Sequence, residues 1–187
     1  MDFKLSSEEN ISGKFKSLGI FTWSDAISFV QNLAYGRNEN RTNFLLVLSE
    51  LKGSCSSKHA LLKELALENN QNEVQLYIGI YKMNAANTPG ISNALQDSPL
   101  AFVPEAHCYL KIDGVPIDVT SKKSDYQRIA KSVMVEIEIK PSQVSIDKVN
   151  IHQQFIKQWI AEHDVPLNFS EVWNLREQCI QNLSNKR

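Results

Sequence analysis

The sequence has no surplus of charge: 20 lysines and arginines stand against 21 aspartates and glutamates. That balance offers no basic footprint for nucleic acid or for an anionic membrane surface, so neither partner is expected. Cysteine is scarce and odd in number, three in all, widely spaced and without a CxxC pair. Such usage argues against a disulfide framework and resembles reduced intracellular thiols. No apolar run approaches the ~18 residues that a membrane span needs, and the opening MDFKLSSEEN holds no apolar core of signal-peptide length. A cytoplasmic protein is therefore expected, although secretion by a route needing no cleavable signal would leave the same sequence. Glycine and proline are also few, seven and six, while hydrophobic residues make up 42% of 187 positions. One globular domain over 1–187 follows, with a core of about 22–140 and a helical extension of about 146–187.

The residues up to about 19 are polar with scattered apolar positions and read as an arm or a weak helix that docks late. Thr22-Trp23-Ser24-Asp25 forms a capping arrangement ahead of Ala26, Ile27, Phe29, Val30 and Leu33 at helical spacing. A second helix is expected over 44–51, stopped by Gly53, and a third from Cys55 to about 70. From Glu73 the period changes to two, with Val74, Leu76, Ile78 and Ile80 on one side of a half-buried strand. The stretch 84–104 is long for a connection and suits a lid or substrate wall. Strands follow over 105–112, 115–120 and 133–139, with a short helix about 124–131 between them. Pro141 ends the sheet, and two helices close the chain over 146–163 and 170–183, the latter with Ser170 as its cap. Helices, then strands, then helices make an α+β protein with an antiparallel sheet.

Cys55 is the residue on which the chemistry turns. In KGSCSSKHALL, Gly53 permits a sharp turn, the serines can cap open amides, and Ala60, Leu61, Leu62, Leu65 and Ala66 supply an apolar face. Cys55 thus stands in the first turn of a helix, where the macrodipole and a nearby imidazolium lower a thiol from ~8.5 to about 3.5–7.5. Free cysteines are more often small buried apolar residues, so further residues must carry the argument. Asp113-Gly114 signals a two-residue hairpin turn. Ile112 then faces Val115, and counting outward sets Tyr109 opposite Asp118 and His107 opposite Thr120. Those four share one face, while Ala106, Cys108, Leu110, Ile112, Val115, Ile117 and Val119 share the core face. His107 and Asp118 become diagonal neighbours, so that the carboxylate can orient the imidazole and leave its other nitrogen for the thiol. Glu105, on the same face, is the second candidate for orienting His107.

Other residues receive quieter roles. Cys108 faces the core, and Cys179 shares an apolar stripe with Val172, Leu175 and Leu183. His59, one turn beyond Cys55, points along the helix surface and reads as structural or as a support to the site. Cys55 and His59 have no further ligands at zinc spacing, and no metal or other cofactor is expected. His152 and His163 are placed on a surface helix.

Gly53-Ser54-Cys55, His107-Cys108-Tyr109 and Asp118-Val119-Thr120 match, in order and spacing, the core pattern of the transglutaminase-like branch of the papain-like superfamily. The resemblance covers about 44–120 and leaves the two C-terminal helices outside it. Where many members carry tryptophan near the cysteine and the histidine, this chain has Ser56 and Tyr109. The resemblance implies a nucleophile helix packed on an antiparallel sheet, Cys55 as nucleophile, His107 as general base and acid, and Asp118 as its orienter. The shared chemistry is thiolate attack on an amide or ester carbonyl of a protein or peptide. The expected activity is that of a peptidase, amidase or deamidase, or transglutaminase, with hydrolysis favoured over crosslinking. The Cys55 N–H and a donor from Tyr35 or Asn43 would hold the oxyanion. The competing readings are a noncatalytic protein-binding module on the same fold and an effector that deamidates a single protein.

Overall fold

The computed structural model describes residues 1–185. The architecture is mixed α+β, and the chain groups into two compact units. The first unit comprises Met1–Ile78, Cys108–Tyr126 and Ile137–Ser145; the second comprises Gly79–His107, Gln127–Glu136 and the chain from Ile146 on. Among the described residues, no helix is long and apolar enough to cross a membrane.

In the first unit, α1 (Asn10–Ser17) shows that the leading segment is a docked helix. Its Ile11 and Phe15 are buried, and the element packs on α4 (Cys55–Glu68). The reason lies at its N-terminus, where Glu68 accepts from the Ile11 N–H at 3.0 Å and the Ser12 N–H at 2.7 Å. A carboxylate there satisfies orphan amides and meets the positive end of the helix dipole. The next helix, α2 (Trp23–Asn32), starts where the sequence places it, with the Thr22 side chain accepting from the Asp25 N–H. The helix expected over 44–51 shrinks to a single turn, α3 (Leu46–Ser49). Asn43 takes the Leu45 N–H into a local turn at one end, and Leu51 adopts φ +50° at the other. The long helix α4 ends in a Schellman arrangement: Asn70 takes φ +60°, and the Gln71 N–H reaches back to the Ala66 carbonyl at 2.9 Å.

Strands β1 (Ala34–Tyr35) and β2 (Lys52–Gly53) form a short parallel pair. The main sheet is antiparallel, in the order β5 (Val115–Ile117), β4 (Val103–Ile112), β3 (Val74–Met83), β6 (Val133–Glu138). Asp113 and Gly114 take φ of +51° and +76°, the conformation of a type I′ turn. The register is the expected one, Ile112 on Val115 and Leu110 on Ile117. Two details differ. The core face of β4 is buried as expected, with Ala106, Cys108 and Leu110 at 0% exposure, but Tyr109 and Glu105 on its other face are buried too. Val115, counted with the core, is 63% exposed because it sits at the hairpin tip.

The second unit carries α5 (Gln127–Ala130), α6 (Ile146–Glu162) and α7 (Phe169–Asn185). The cap of α7 is Asn168 rather than Ser170. Its side chain accepts from the Glu171 N–H at 3.1 Å, and the Glu171 carboxylate accepts from the Asn168 N–H at 2.8 Å. That reciprocal pair satisfies two amides where Ser170 would satisfy one. The two helices pack together, and Val172 and Cys179 are fully buried, Cys179 as expected for a core thiol. The 84–104 connection is itself packed in this unit. Ile91 is fully buried, its carbonyl accepts from Asn182 at 3.0 Å, and the 3-10 turn Ser92–Leu95 lies against α7.

His152 departs from expectation: it is buried, with its Nε2–H donating to the Pro104 carbonyl at 2.8 Å. Burial holds this imidazole below its ordinary value, although Glu105 and the hydrogen bond to Pro104 oppose the shift. His163 stays exposed, as the sequence suggests.

Candidate active site

The nucleophile turn is built from small polar residues. Ser54 is the N-cap of α4 and accepts from the Ser57 N–H, while the Ser57 hydroxyl accepts from the Ser54 N–H at 3.0 Å. This reciprocal cap leaves Cys55 as the first residue of the helix. Cys55 is 8% exposed, whereas Cys108 and Cys179 are at 0%. The Ser56 hydroxyl lies 4.0 Å from the Cys55 sulfur and 3.7 Å from that of Cys108.

Asn38 organises the approach to this turn. Its side chain takes the Ser57 hydroxyl at 2.8 Å and donates to the Lys52 carbonyl at 3.0 Å and to Glu50 at 3.1 Å. The pairing of β1 with β2 then sets Tyr35 opposite Gly53, two residues before Cys55. Of the two donors considered for an oxyanion, Tyr35 is thereby placed beside the nucleophile turn. Asn43 is instead engaged in the turn that opens α3.

Gly53 is required by space. A Cβ there would meet Lys58 Cγ at 2.8 Å, Ser57 Oγ at 3.0 Å and Val47 Cγ2 at 3.0 Å. Lys58 cannot swing away, because its fully buried ammonium donates to the Leu33 carbonyl at 2.7 Å and the Thr120 carbonyl at 2.9 Å. Gly53→Ala is expected to lower stability by about 1–3 kcal/mol through overpacking, read from the urea midpoint.

Asp118 lies just past the end of β5, so it is not a ladder partner of Tyr109. The strand expected to run to Thr120 stops at Ile117 because α4 claims the groups that would extend it. The Val119 N–H donates to His59 Nε2 at 2.9 Å, and the Thr120 carbonyl accepts from Lys58. Asp118 closes the turn itself, its Oδ1 accepting from the Thr120 N–H at 2.9 Å. The β4–β5 ladder therefore ends one residue short of Asp118, whose position is set by the turn that follows. His59 stands between Cys55 and Asp118. Its Nδ1 lies 2.7 Å from the Cys55 carbonyl, and its Nε2 lies 3.7 Å from Asp118 Oδ1. Thus Cys55 and Asp118 share the first unit and meet on two sides of one imidazole.

His107 belongs to the second unit, half-buried on β4, with its ring edge-on to Tyr81 at 6.4 Å between centroids. Glu105 is committed elsewhere. Arg176 grips it with two bonds, 2.6 Å from Nε and 2.8 Å from the terminal nitrogen. Burial alone would raise the Glu105 carboxyl, but the charge and hydrogen bonds of Arg176 outweigh it and hold the group below the usual carboxylate range.

Asn38, Lys58 and the bridging role of His59 escaped the sequence. The one available signal was positional, since Lys58 and His59 sit one helical turn from Cys55. Among the described residues, no cluster of three histidine, cysteine or acidic side chains could hold a metal ion. Comparison with family models, with curated proteins and with solved structures finds no match to this chain.

Proposed function

We propose that the protein is a cysteine-dependent acyl-transfer enzyme acting on amide bonds of a protein or peptide, with Cys55, His107 and Asp118 as its triad and no cofactor. The observation that carries this reading is the serine-capped start of α4 at Cys55, tied through buried His59 to the turn that holds Asp118. A thiol in that first turn meets the amides and the positive end of the helix dipole, which favour the thiolate. The Cys55 thiol passes its proton to His107, the thiolate adds to the substrate carbonyl carbon, and the resulting oxyanion is held by the Cys55 N–H and a donor from Tyr35. His107 gives a proton to the amine as the C–N bond breaks, leaving a thioester. Water then loses a proton to His107 and attacks the thioester, releasing the carboxylic acid and restoring the thiol. Asp118 keeps the imidazole in the right tautomer and stabilises its charged form. The motifs resemble those of the transglutaminase-like branch of the papain-like superfamily, and we read the chain as a relative of that branch.

Hydrolysis is favoured over crosslinking because water alone completes the cycle, whereas crosslinking needs a site that excludes water and admits lysine. The test is product analysis by mass spectrometry on glutamine-containing proteins, without added amine or calcium, and with Cys55→Ala as control. A one-dalton gain at glutamine means deamidation and new termini mean peptidase action, and either supports the proposal. Efficient amine incorporation would make the protein a transglutaminase of the same triad. The burial of Cys55 favours one other reading, a noncatalytic module that binds a protein. Tight binding of a partner together with an inert Cys55 would select it.

A further inference from the structure

Both nitrogens of the His59 ring are engaged with backbone. Val119 donates its N–H to Nε2, so Nε2 carries a lone pair rather than a proton. The neutral ring must then hold its proton on Nδ1, where it donates to the Cys55 carbonyl at 2.7 Å. His59 is at 0% exposure, so neither bond is exchanged with water. This imidazole is therefore neither a base nor a ligand; it is a brace between the backbone of the nucleophile and the backbone beside the carboxylate.

We propose that His59 is the positioning residue of the site: its Nδ1–H tautomer fixes the Cys55 turn to the 118–120 turn and so sets where Asp118 stands relative to the thiol. The role rests on the cysteine-dependent reading above. Lys58 supplies a second tether to the same turn through the Thr120 carbonyl, so two consecutive residues of α4 clamp it. The Asp118 carboxylate, with its Oδ1 held by the Thr120 N–H, moves with that turn as one piece. Loss of the Val119 bond would let the turn return toward the sheet ladder, and the carboxylate would leave its position.

The two arms can be separated by substitution. In His59→Gln the side-chain oxygen reaches the place of Nε2 and keeps the Val119 bond; in His59→Asn the amide nitrogen reaches the place of Nδ1 and keeps only the Cys55 bond. The readout is the pH profile of Cys55 alkylation by iodoacetamide on folded protein, beside the melting temperature. His59→Asn is expected to alkylate about 10-fold more slowly at pH 6, its midpoint moving toward the ordinary thiol value of ~8.5. His59→Gln should stay within about threefold of wild type, and the double variant His59→Asn with Asp118→Asn should be no slower than Asp118→Asn alone. A lower melting temperature with an unmoved midpoint in His59→Asn, or equal slowing by Asn and Gln, would overturn the positioning role. A wild-type midpoint already near ~8.5 would instead remove the cysteine-dependent reading, and this role with it. If neither variant folds, nitrogen NMR of the wild-type ring decides: the Nδ1–H tautomer is expected, and an Nε2–H tautomer overturns the proposal.

Discussion

Folded protein treated with iodoacetamide at pH 6 is expected to lose Cys55 at least ~10²-fold faster than Cys108 or Cys179. Three physical differences set the ratio. Cys55 opens α4, whereas Cys108 lies inside a strand and Cys179 inside a helix. Cys55 alone retains measurable exposure, at 8%. Burial, with Glu105 adding to it, pushes the Cys179 thiol up to about 11, where almost no thiolate exists at pH 6. By contrast, a thiol brought down to ~7 is ~10% ionised at pH 6, against ~0.3% for an unperturbed one. Asp118→Asn should slow the labelling with little change of fold, because an amide can orient an imidazole but cannot stabilise its charge. His107→Ala should slow it more. Labelling of all three thiols at one rate would sink the nucleophile assignment. A wild-type rate in Asp118→Asn combined with a slow Glu105→Gln would transfer the orienting role to Glu105, against its observed commitment to Arg176.

The largest stability effect is expected in the second unit. Glu105→Gln takes the two-bond carboxylate from the buried Arg176 guanidinium and leaves it Glu177 alone, which should cost up to about 3–5 kcal/mol in urea unfolding. Arg176 itself is held well above its usual value: burial would lower it, but the charge and hydrogen bonds of Glu105 dominate. Replacing both partners, Glu105→Leu with Arg176→Met, should recover much of that loss, since no buried guanidinium is then stranded and Glu177, 29% exposed, is left to solvent. A double variant as unstable as the single would show that the pair itself, rather than the stranded charge, carries the stability.

The same cluster sets an acid dependence whose sign is determined. His152 is held below its ordinary 6.5, so its contribution is complete above that pH and declines as pH falls through the folded value. Glu105 is held below 4.5, so its contribution is complete above that pH and is lost only at lower pH. Melting temperature should therefore fall in two stages on acidification, and Glu105→Gln should make the lower one shallower, leaving the part set by Asp2 and Glu50, which are also held low.

The elements that the sequence alone determined are those decided by neighbouring residues. Thr22 capping α2, the Gly53-Ser54 start of α4, the alternation of β3 and the Asp113-Gly114 turn all follow from local backbone chemistry. Once the turn demanded positive φ at both of its residues, the β4–β5 register had no freedom left. What only the tertiary structure decided was the fate of groups with distant partners. The ladder ends at Ile117 because His59 and Lys58, some 60 residues earlier, compete successfully for the Val119 N–H and the Thr120 carbonyl. Glu105 is absorbed by Arg176, 71 residues away, and His152 is drawn inside by the Pro104 carbonyl, 48 residues away. Sequence pattern reports which face of an element is apolar. It carries no signal for which polar group will meet which, because that depends on the packing of whole elements.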